Sequence, residues 1–137
     1  MSTHRILLIE DDASEAHLAQ RTLHKIDPEL EVTRLRDGED FLHYYHEHPH
    51  PEEFDLAIMD LHMPRASGLD VLRELRKEAK RPPFPIVMFS SSQNHQEIEQ
   101  AYNYGTCAFV NKPDTGSAYR KTLKSIVGFW INTNRRR

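Results

Sequence analysis

Acidic side chains directly follow two apolar runs of the chain, and a hydroxyl and an amine follow two others. The carboxylates are Glu10, Asp11 and Asp60, and the other two residues are Ser90 and Lys112. Clustered carboxylates repel one another, and a hard divalent cation such as Mg²⁺ binds such oxygen groups. A metal also lets a phosphoryl group approach carboxylates, and lysine and hydroxyl groups bind its oxygens. If the fold brings these residues together, their types predict phosphoryl transfer to a carboxylate.

Alternating strands and helices are predicted to position these residues. Short apolar runs predict strands at residues 5–10, 54–60, 86–90 and 107–110, and residues 31–35 are interpreted as a further short strand. Helical spacing and caps predict helices at residues 12–27, 39 to about 48, about 69–79, 95 to about 104, and 117 to about 132. Five alternations are typical of an α/β protein whose parallel sheet carries helices on both faces. Sites in such sheets form at the carboxyl ends of the strands.

Length and composition exclude several classes of protein. The 137 residues predict one domain, and 18 basic against 21 acidic residues give a net charge of −3 and no general reason to expect a nucleic-acid partner. No apolar run approaches the ~18 residues of a membrane span, and the polar residues 1–4 do not resemble a signal peptide. The single cysteine, Cys107, fits a reducing cytosol, so we expect a cytoplasmic protein.

Four segments of the chain carry a family resemblance that covers nearly its whole length. They read ILLIEDD, MDLHMPRASGLDVL, IVMFSSS and AFVNKP. Together they resemble the receiver domain of bacterial two-component response regulators. The resemblance implies a flavodoxin-like, doubly wound, five-stranded parallel sheet of order 2-1-3-4-5.

The resemblance also implies an acceptor and a metal site. Asp60 matches the phosphoacceptor. Asp11 and Asp60 would bind Mg²⁺ directly, Glu10 through water, and His62 through its backbone carbonyl, with its imidazole facing solvent. Asp12 is interpreted as the cap of the first helix, with metal binding as the alternative.

Three further positions match residues that bind the phosphoryl group or respond to it. Ser90 would hydrogen-bond a phosphoryl oxygen and Lys112 would pair with it. Phe109 matches an aromatic switch position, although a plain core aromatic would look the same in the sequence. The Lys112–Pro113 peptide bond is usually cis in this family.

The implied function is that of a signalling domain, with no enzymatic activity beyond its own phosphorylation and dephosphorylation. Asp60 would attack the phosphohistidine of a sensor histidine kinase, and the surface of the fourth helix, fifth strand and fifth helix would then change. Residues 1–137 are expected to form a single receiver domain without an output domain, which makes protein contacts the expected output.

The C-terminal helix carries more apolar residues than one buried face needs. Its end, SIVGFWI, resembles that of the small regulators that partner phytochrome histidine kinases. Tyr119, Phe129 and Ile131 are expected to face partly outward and to form a homodimer interface. A larger core is the alternative. The basic residues 135–137 are expected to complement the end of the helix.

Histidines are unusually frequent before the third strand. His43 and His46, spaced three apart in HYYHEHPH, could bind a transition metal, but a solvated helix end is the alternative that the pattern favours.

Other functions fit less well. A haloacid-dehalogenase phosphatase needs a second acid two residues after the nucleophile, where this chain has His62. A flavodoxin needs a glycine- and hydroxyl-rich loop after the first strand, where Glu10 and Asp11 would repel phosphate. A degenerate receiver that only binds partners is disfavoured by the complete set of acid, serine and lysine.

Overall fold

A five-stranded parallel sheet forms the centre of the molecule. The computed structural model describes residues 3–134. The strands are β1 (Arg5–Ile9), β2 (Glu31–Leu35), β3 (Leu56–Met59), β4 (Ile86–Ser90) and β5 (Ala108–Asn111). Their order is β2-β1-β3-β4-β5, and every neighbouring pair is parallel. The predicted flavodoxin-like fold and strand order are confirmed.

Four helices connect the strands, and a fifth follows β5. They are α1 (Ala13–Ile26), α2 (Gly38–Glu47), α3 (Gly68–Arg76), α4 (His95–Asn103) and α5 (Gly116–Val127). A 3₁₀ turn at Pro51–Glu53 precedes β3, and a π-helical segment, Gly128–Thr133, continues α5. Within residues 3–134, no helix is long and apolar enough to cross a membrane.

Helix starts lie beside the carboxyl ends of the strands, and side-chain caps fix them. The Asp12 carboxylate accepts a hydrogen bond from the Glu15 amide at 3.0 Å, which confirms Asp12 as the cap of α1. Ser67 and Asp70 form a reciprocal capping box at α3. Such caps satisfy amides that the helix itself leaves without partners.

Two apolar cores lie on opposite faces of the sheet. Side chains alternate along a strand, so Ile6 and Leu8 of β1 face one core while Leu7 and Ile9 face the other. The first core packs against α1 and α5, and the second against α2, α3 and α4. Because both faces are covered, the central strands β1, β3 and β4 read as nearly continuous apolar runs rather than alternating ones.

The end of the chain differs from the sequence prediction at one of the three expected interface positions. Tyr119 is buried and stacks at 5.5 Å on Phe89, so its predicted outward placement is wrong. Burial raises its pKa to about 12. Ile131 and Trp130 are half-buried against the first core, and only Phe129 is strongly exposed, at 48%. The apolar surplus is thus largely core, and the expectation for residues 135–137 lies outside the described residues.

The Lys112–Pro113 peptide bond also differs from the family expectation. No cis peptide bond occurs within residues 3–134. The trans form is the intrinsically preferred one, by about 0.5–1 kcal/mol before proline. With this trans bond, the Lys112 side chain still reaches the carboxyl end of β1.

Candidate phosphoryl-transfer site

Three carboxylates meet where β1 and β3 end. Glu10, Asp11 and Asp60 each place a carboxylate oxygen within 4.8 Å of the others. Glu10 is buried, Asp60 is half-buried and Asp11 is exposed. β3 ends at Met59, but the Asp60 amide still donates to the Ile9 carbonyl at 3.0 Å, which holds Asp60 beside β1. The predicted convergence of these acids is confirmed.

Lys112 projects from the end of β5 into this acidic cluster. Its Nζ lies 3.0 Å from a carboxylate oxygen of Glu10, 3.0 Å from one of Glu15 and 3.9 Å from Asp60 Oδ2. Its side chain is only 12% exposed. The sequence analysis missed the contact with Glu15, because Glu15 and Lys112 are 97 positions apart in the chain. One ammonium thus lies close to three carboxylates, those of Glu10, Glu15 and Asp60.

The cluster contains more negative than positive charge. Burial raises the pKa of Glu10 to about 7, and the Asp60 carboxylate adds to the shift although Lys112 opposes it. Burial also raises the pKa of Asp60. Burial alone would lower the pKa of Lys112, but Asp60 and Glu10 hold it above its usual value. Negative charge therefore exceeds what Lys112 offsets, and a hard divalent cation fits the donor set.

We expect Glu10→Gln to remove a pH dependence of stability in EDTA. The raised pKa of Glu10 favours the protonated form in the folded state. The stability it gives is complete below the ordinary pKa of 4.5 and is lost as the pH rises through about 7. Glutamine imitates the protonated form, so the variant should unfold with a free energy about 1–3 kcal/mol above wild type at pH 8 and near wild type at pH 4.5.

Urea unfolding of both proteins at these two pH values measures the difference in their free energies of unfolding. The contributions of other titrating groups largely cancel in this difference. A variant less stable than wild type at pH 8 would contradict the expected cost of burying a charged Glu10 carboxylate.

The Asp60 carboxylate is oriented by the backbone. Its Oδ1 accepts a hydrogen bond from the Leu61 amide at 2.8 Å, and its Oδ2 is the oxygen on the Lys112 side. A Cβ atom at Gly68 would lie 2.8 Å from the Asp60 carbonyl oxygen, so glycine permits this close approach. The Gly68 amide donates to the Leu61 carbonyl at 2.8 Å and closes the turn after the acceptor.

Ser90 lies at the end of β4, beside the strand that carries Lys112. It is buried, and its hydroxyl oxygen accepts a hydrogen bond from the Ser92 amide at 3.2 Å. The Lys112 amide donates to the Ser90 carbonyl at 2.9 Å, so the two residues follow neighbouring strands in register. Their proximity at one sheet edge agrees with the sequence prediction.

Phe109 is half-buried and packs against the second core. Its amide donates a hydrogen bond to the hydroxyl of the exposed Tyr102 of α4 at 3.1 Å. This contact links β5 to α4 beside the aromatic ring. The switch role of Phe109 stays a prediction.

His62 is exposed, as expected, but its imidazole has a partner. Nε2 lies 2.9 Å from Glu97 of α4, and the Ser92 hydroxyl donates to the same carboxylate at 2.6 Å. These two contacts lower the pKa of Glu97. Glu97 lies 35 positions from His62 in the chain, so this bridge from the end of β3 to α4 was missed in the sequence analysis.

The histidines of residues 43–50 do not meet at one point. His43 pairs with Glu47, His46 with Glu78 and His50 with Glu52, while the His48 ring packs on Phe54. Within residues 3–134, the groups of three or more ligands close enough for one metal ion are limited to Glu10, Asp11 and Asp60. The solvated helix end is the interpretation that fits.

Comparison with known proteins agrees with this geometry. The family model of the response regulator receiver domain matches residues 6–124. Response regulator Rcp1 of Synechocystis is 27% identical over 131 residues, which are 93% of this chain and 89% of that protein.

Solved structures extend the similarity over the whole fold. The crystal structure of the phosphorylated cyanobacterial phytochrome response regulator RcpA superposes with a TM-score of 0.88 at 27% identity, covering 98% of this chain and 99% of that one. The bacteriophytochrome response regulator AtBRR gives a TM-score of 0.71 at 30% identity, with 98% and 100% covered.

Proposed function

Because the chain belongs to the response regulator receiver domain family, a signalling domain of two-component phosphorelays, we propose that Asp60 accepts a phosphoryl group from a partner histidine kinase in a Mg²⁺-dependent reaction. The position of Lys112 is the observation that supports the proposal most strongly. Its Nζ lies among the carboxylates of Glu10, Glu15 and Asp60 at the carboxyl ends of the strands.

Asp60 Oδ2 is the proposed nucleophile. The Leu61 amide engages Oδ1, which leaves Oδ2 on the side of Lys112. Oδ2 attacks the phosphorus of the phosphohistidine, an O–P bond forms, and the P–N bond breaks with its electrons going to the imidazole. The product is an acyl phosphate. Water later attacks the same phosphorus and returns the carboxylate, which is the dephosphorylation that ends the signal.

A metal ion and Lys112 are both proposed to offset the negative charge of the phosphoryl group during the transfer. Glu10, Asp11, Asp60 and the His62 backbone carbonyl would hold Mg²⁺, which supplies charge neutralisation for the phosphoryl oxygens. Lys112 is already positively charged beside Asp60, so it can pair with the incoming phosphoryl group without a change of protonation. Because these positive charges are in place before the reaction begins, they lower its activation barrier.

The proposed signal passes from Ser90 to the surface of α4, β5 and α5. The Ser90 hydroxyl now accepts a hydrogen bond from the Ser92 amide. A phosphoryl group on Asp60 would draw this hydroxyl away from that amide. Phe109, half-buried in β5, could then occupy the space that Ser90 leaves. We expect this as a shift between two populations of one fold.

A phytochrome-type histidine kinase is the proposed partner. The chain resembles RcpA and AtBRR, whose names identify them as phytochrome and bacteriophytochrome response regulators. It also spans nearly the full length of both of those chains. Such a partner and the free thiol of Cys107 fit a cytoplasmic location.

Phosphotransfer profiling tests the partner and the function together. Purified histidine kinases, with a phytochrome-type kinase among them, are first phosphorylated with labelled ATP and then mixed with this protein. We expect rapid transfer from the phytochrome-type kinase in Mg²⁺ and none in EDTA. Transfer from another kinase only would overturn the phytochrome assignment, and transfer from none would count against the function.

We further propose a homodimer through the C-terminal end, now centred on Phe129. Phe129 is 48% exposed, and its ring packs edge-on against Trp130 with the ring centroids 4.9 Å apart. Sedimentation at tens of micromolar should show a dimer for wild type and a monomer for Phe129→Ser. Leu18→Ser, which removes an exposed apolar side chain of α1, is the matched control. A monomeric wild type, with and without beryllofluoride, would rule out this dimer.

A further inference from the structure

Arg65 connects the segment after the phosphoacceptor to the start of α2. We call residues 60–67 the acceptor loop. Arg65 donates from Nε at 2.9 Å and from Nη2 at 2.6 Å to the same oxygen of Asp37, Oδ2. The Asp37 side chain is only 5% exposed. A buried carboxylate that binds a guanidinium by two donors is a geometrically specific contact.

The same Asp37 also begins α2. Its Oδ1 accepts a hydrogen bond from the Asp40 amide at 2.9 Å, so one oxygen caps the helix and the other holds the acceptor loop. Burial would raise the pKa of Asp37, but the hydrogen bonds from the Asp40 amide and Arg65 hold it below its ordinary value. The carboxylate therefore stays charged and paired.

Backbone contacts support the same junction. The Gly38 amide donates to the Ala66 carbonyl at 3.2 Å. A Cβ atom at Gly38 would lie 2.5 Å from that carbonyl oxygen, so the two backbones could not approach this closely around a larger residue. The start of α2 and the end of the acceptor loop are thus in direct contact.

Arg65 adopts a backbone conformation that disfavours a side chain. Its φ is +65°, in the left-handed region, and within residues 3–134 it is the only non-glycine residue with a positive φ. Glycine would be the residue of least strain here. The position therefore carries a side chain in spite of the backbone cost, and Asp37 is the partner that side chain binds most closely.

We propose that the Arg65–Asp37 pair is a positioning device for the metal site, an inference that rests on the proposed function. His62, whose backbone carbonyl is a proposed ligand, lies between Asp60 and Arg65 in the acceptor loop. Mg²⁺ requires nearly ideal octahedral geometry, so a loop that shifts by a fraction of an ångström loses affinity. Arg65 holds this loop against α2 but is not itself a proposed metal ligand.

The test uses two variants with opposite effects on charge. Arg65→Gly removes a positive charge and relieves the backbone strain, whereas Asp37→Asn removes a negative charge and keeps a good helix cap. If only charge mattered, the first variant would bind Mg²⁺ more tightly and the second more weakly. If positioning matters, both bind more weakly, by about tenfold, as is typical of contacts that orient metal ligands.

Amide chemical shifts during a MgCl₂ titration give the affinity of each folded protein, and urea unfolding in EDTA reports its stability separately. Arg65→Lys, which keeps the charge but offers no planar fork, should fall between wild type and Arg65→Gly. Arg73→Ala, which removes an exposed arginine of α3, should leave the affinity within twofold of wild type.

Arg65→Gly that binds Mg²⁺ as tightly as wild type, or more tightly, would overturn the inference while leaving the proposed function intact. A wild type that binds no Mg²⁺ would overturn both.

Discussion

Replacing Asp60 by asparagine is expected to abolish phosphorylation by acetyl phosphate. The amide keeps the shape of the side chain, but it has no anionic oxygen to attack phosphorus and cannot form an acyl phosphate. Intact mass after incubation with acetyl phosphate and Mg²⁺ should show one added phosphoryl group on wild type and none on Asp60→Asn. Asp27→Asn, at the C-terminal cap of α1, removes an equal charge and should be phosphorylated like wild type.

The stability of Asp60→Asn shows whether a loss of phosphorylation reflects lost chemistry or lost folding. Asp60→Asn removes one of three clustered carboxylates, and the raised pKa of Asp60 indicates that its charge is disfavoured in the folded state. In EDTA we therefore expect the variant to be at least as stable as wild type. A variant that gains a phosphoryl group at the wild-type rate would show that another residue is the acceptor.

The second large effect concerns the metal. Asp11→Ala should lose Mg²⁺-dependent phosphorylation while remaining folded, because Asp11 is exposed and contributes its carboxylate to the proposed metal site. Loss of a direct ligand should weaken Mg²⁺ binding by more than the roughly tenfold typical of contacts around a metal site. Phosphorylation rates measured over a Mg²⁺ series, together with an EDTA blank, check this.

Asp12→Asn is the matched control for Asp11→Ala. It removes the same charge from the neighbouring position, and asparagine can still cap α1. It should therefore keep both the Mg²⁺ affinity and the phosphorylation rate near wild type. If Asp12→Asn loses metal dependence and Asp11→Ala does not, the assignment of these two acids is reversed.

The part of the site that could be predicted from the sequence depends on backbone topology alone. Glu10, Asp60 and Lys112 each stand directly after a strand and Ser90 ends one, and parallel strands bring their carboxyl ends to one edge. The apolar runs of the central strands β1, β3 and β4 are clear in the sequence because helices cover both faces of the sheet. Residue types at those ends then predict the chemistry.

The part that could not be predicted depends on contacts between side chains far apart in the chain. The Arg65–Asp37 pair joins residues 28 positions apart, and His62 and Glu97 are 35 apart. A pattern of apolar spacing contains no information on such partners. Tyr119 shows the same limit, because its burial depends on Phe89 of β4, which the spacing of the C-terminal helix does not reveal.

Chemical trapping of the phosphorylated residue tests the central claim most directly. Borohydride reduces an aspartyl phosphate to homoserine, which marks the acceptor permanently. The protein is phosphorylated by its histidine kinase in Mg²⁺, reduced, digested and mapped by mass spectrometry. The account predicts homoserine at position 60 alone. Homoserine at position 11 or 12, or a phosphorylated protein that yields no homoserine, would contradict it.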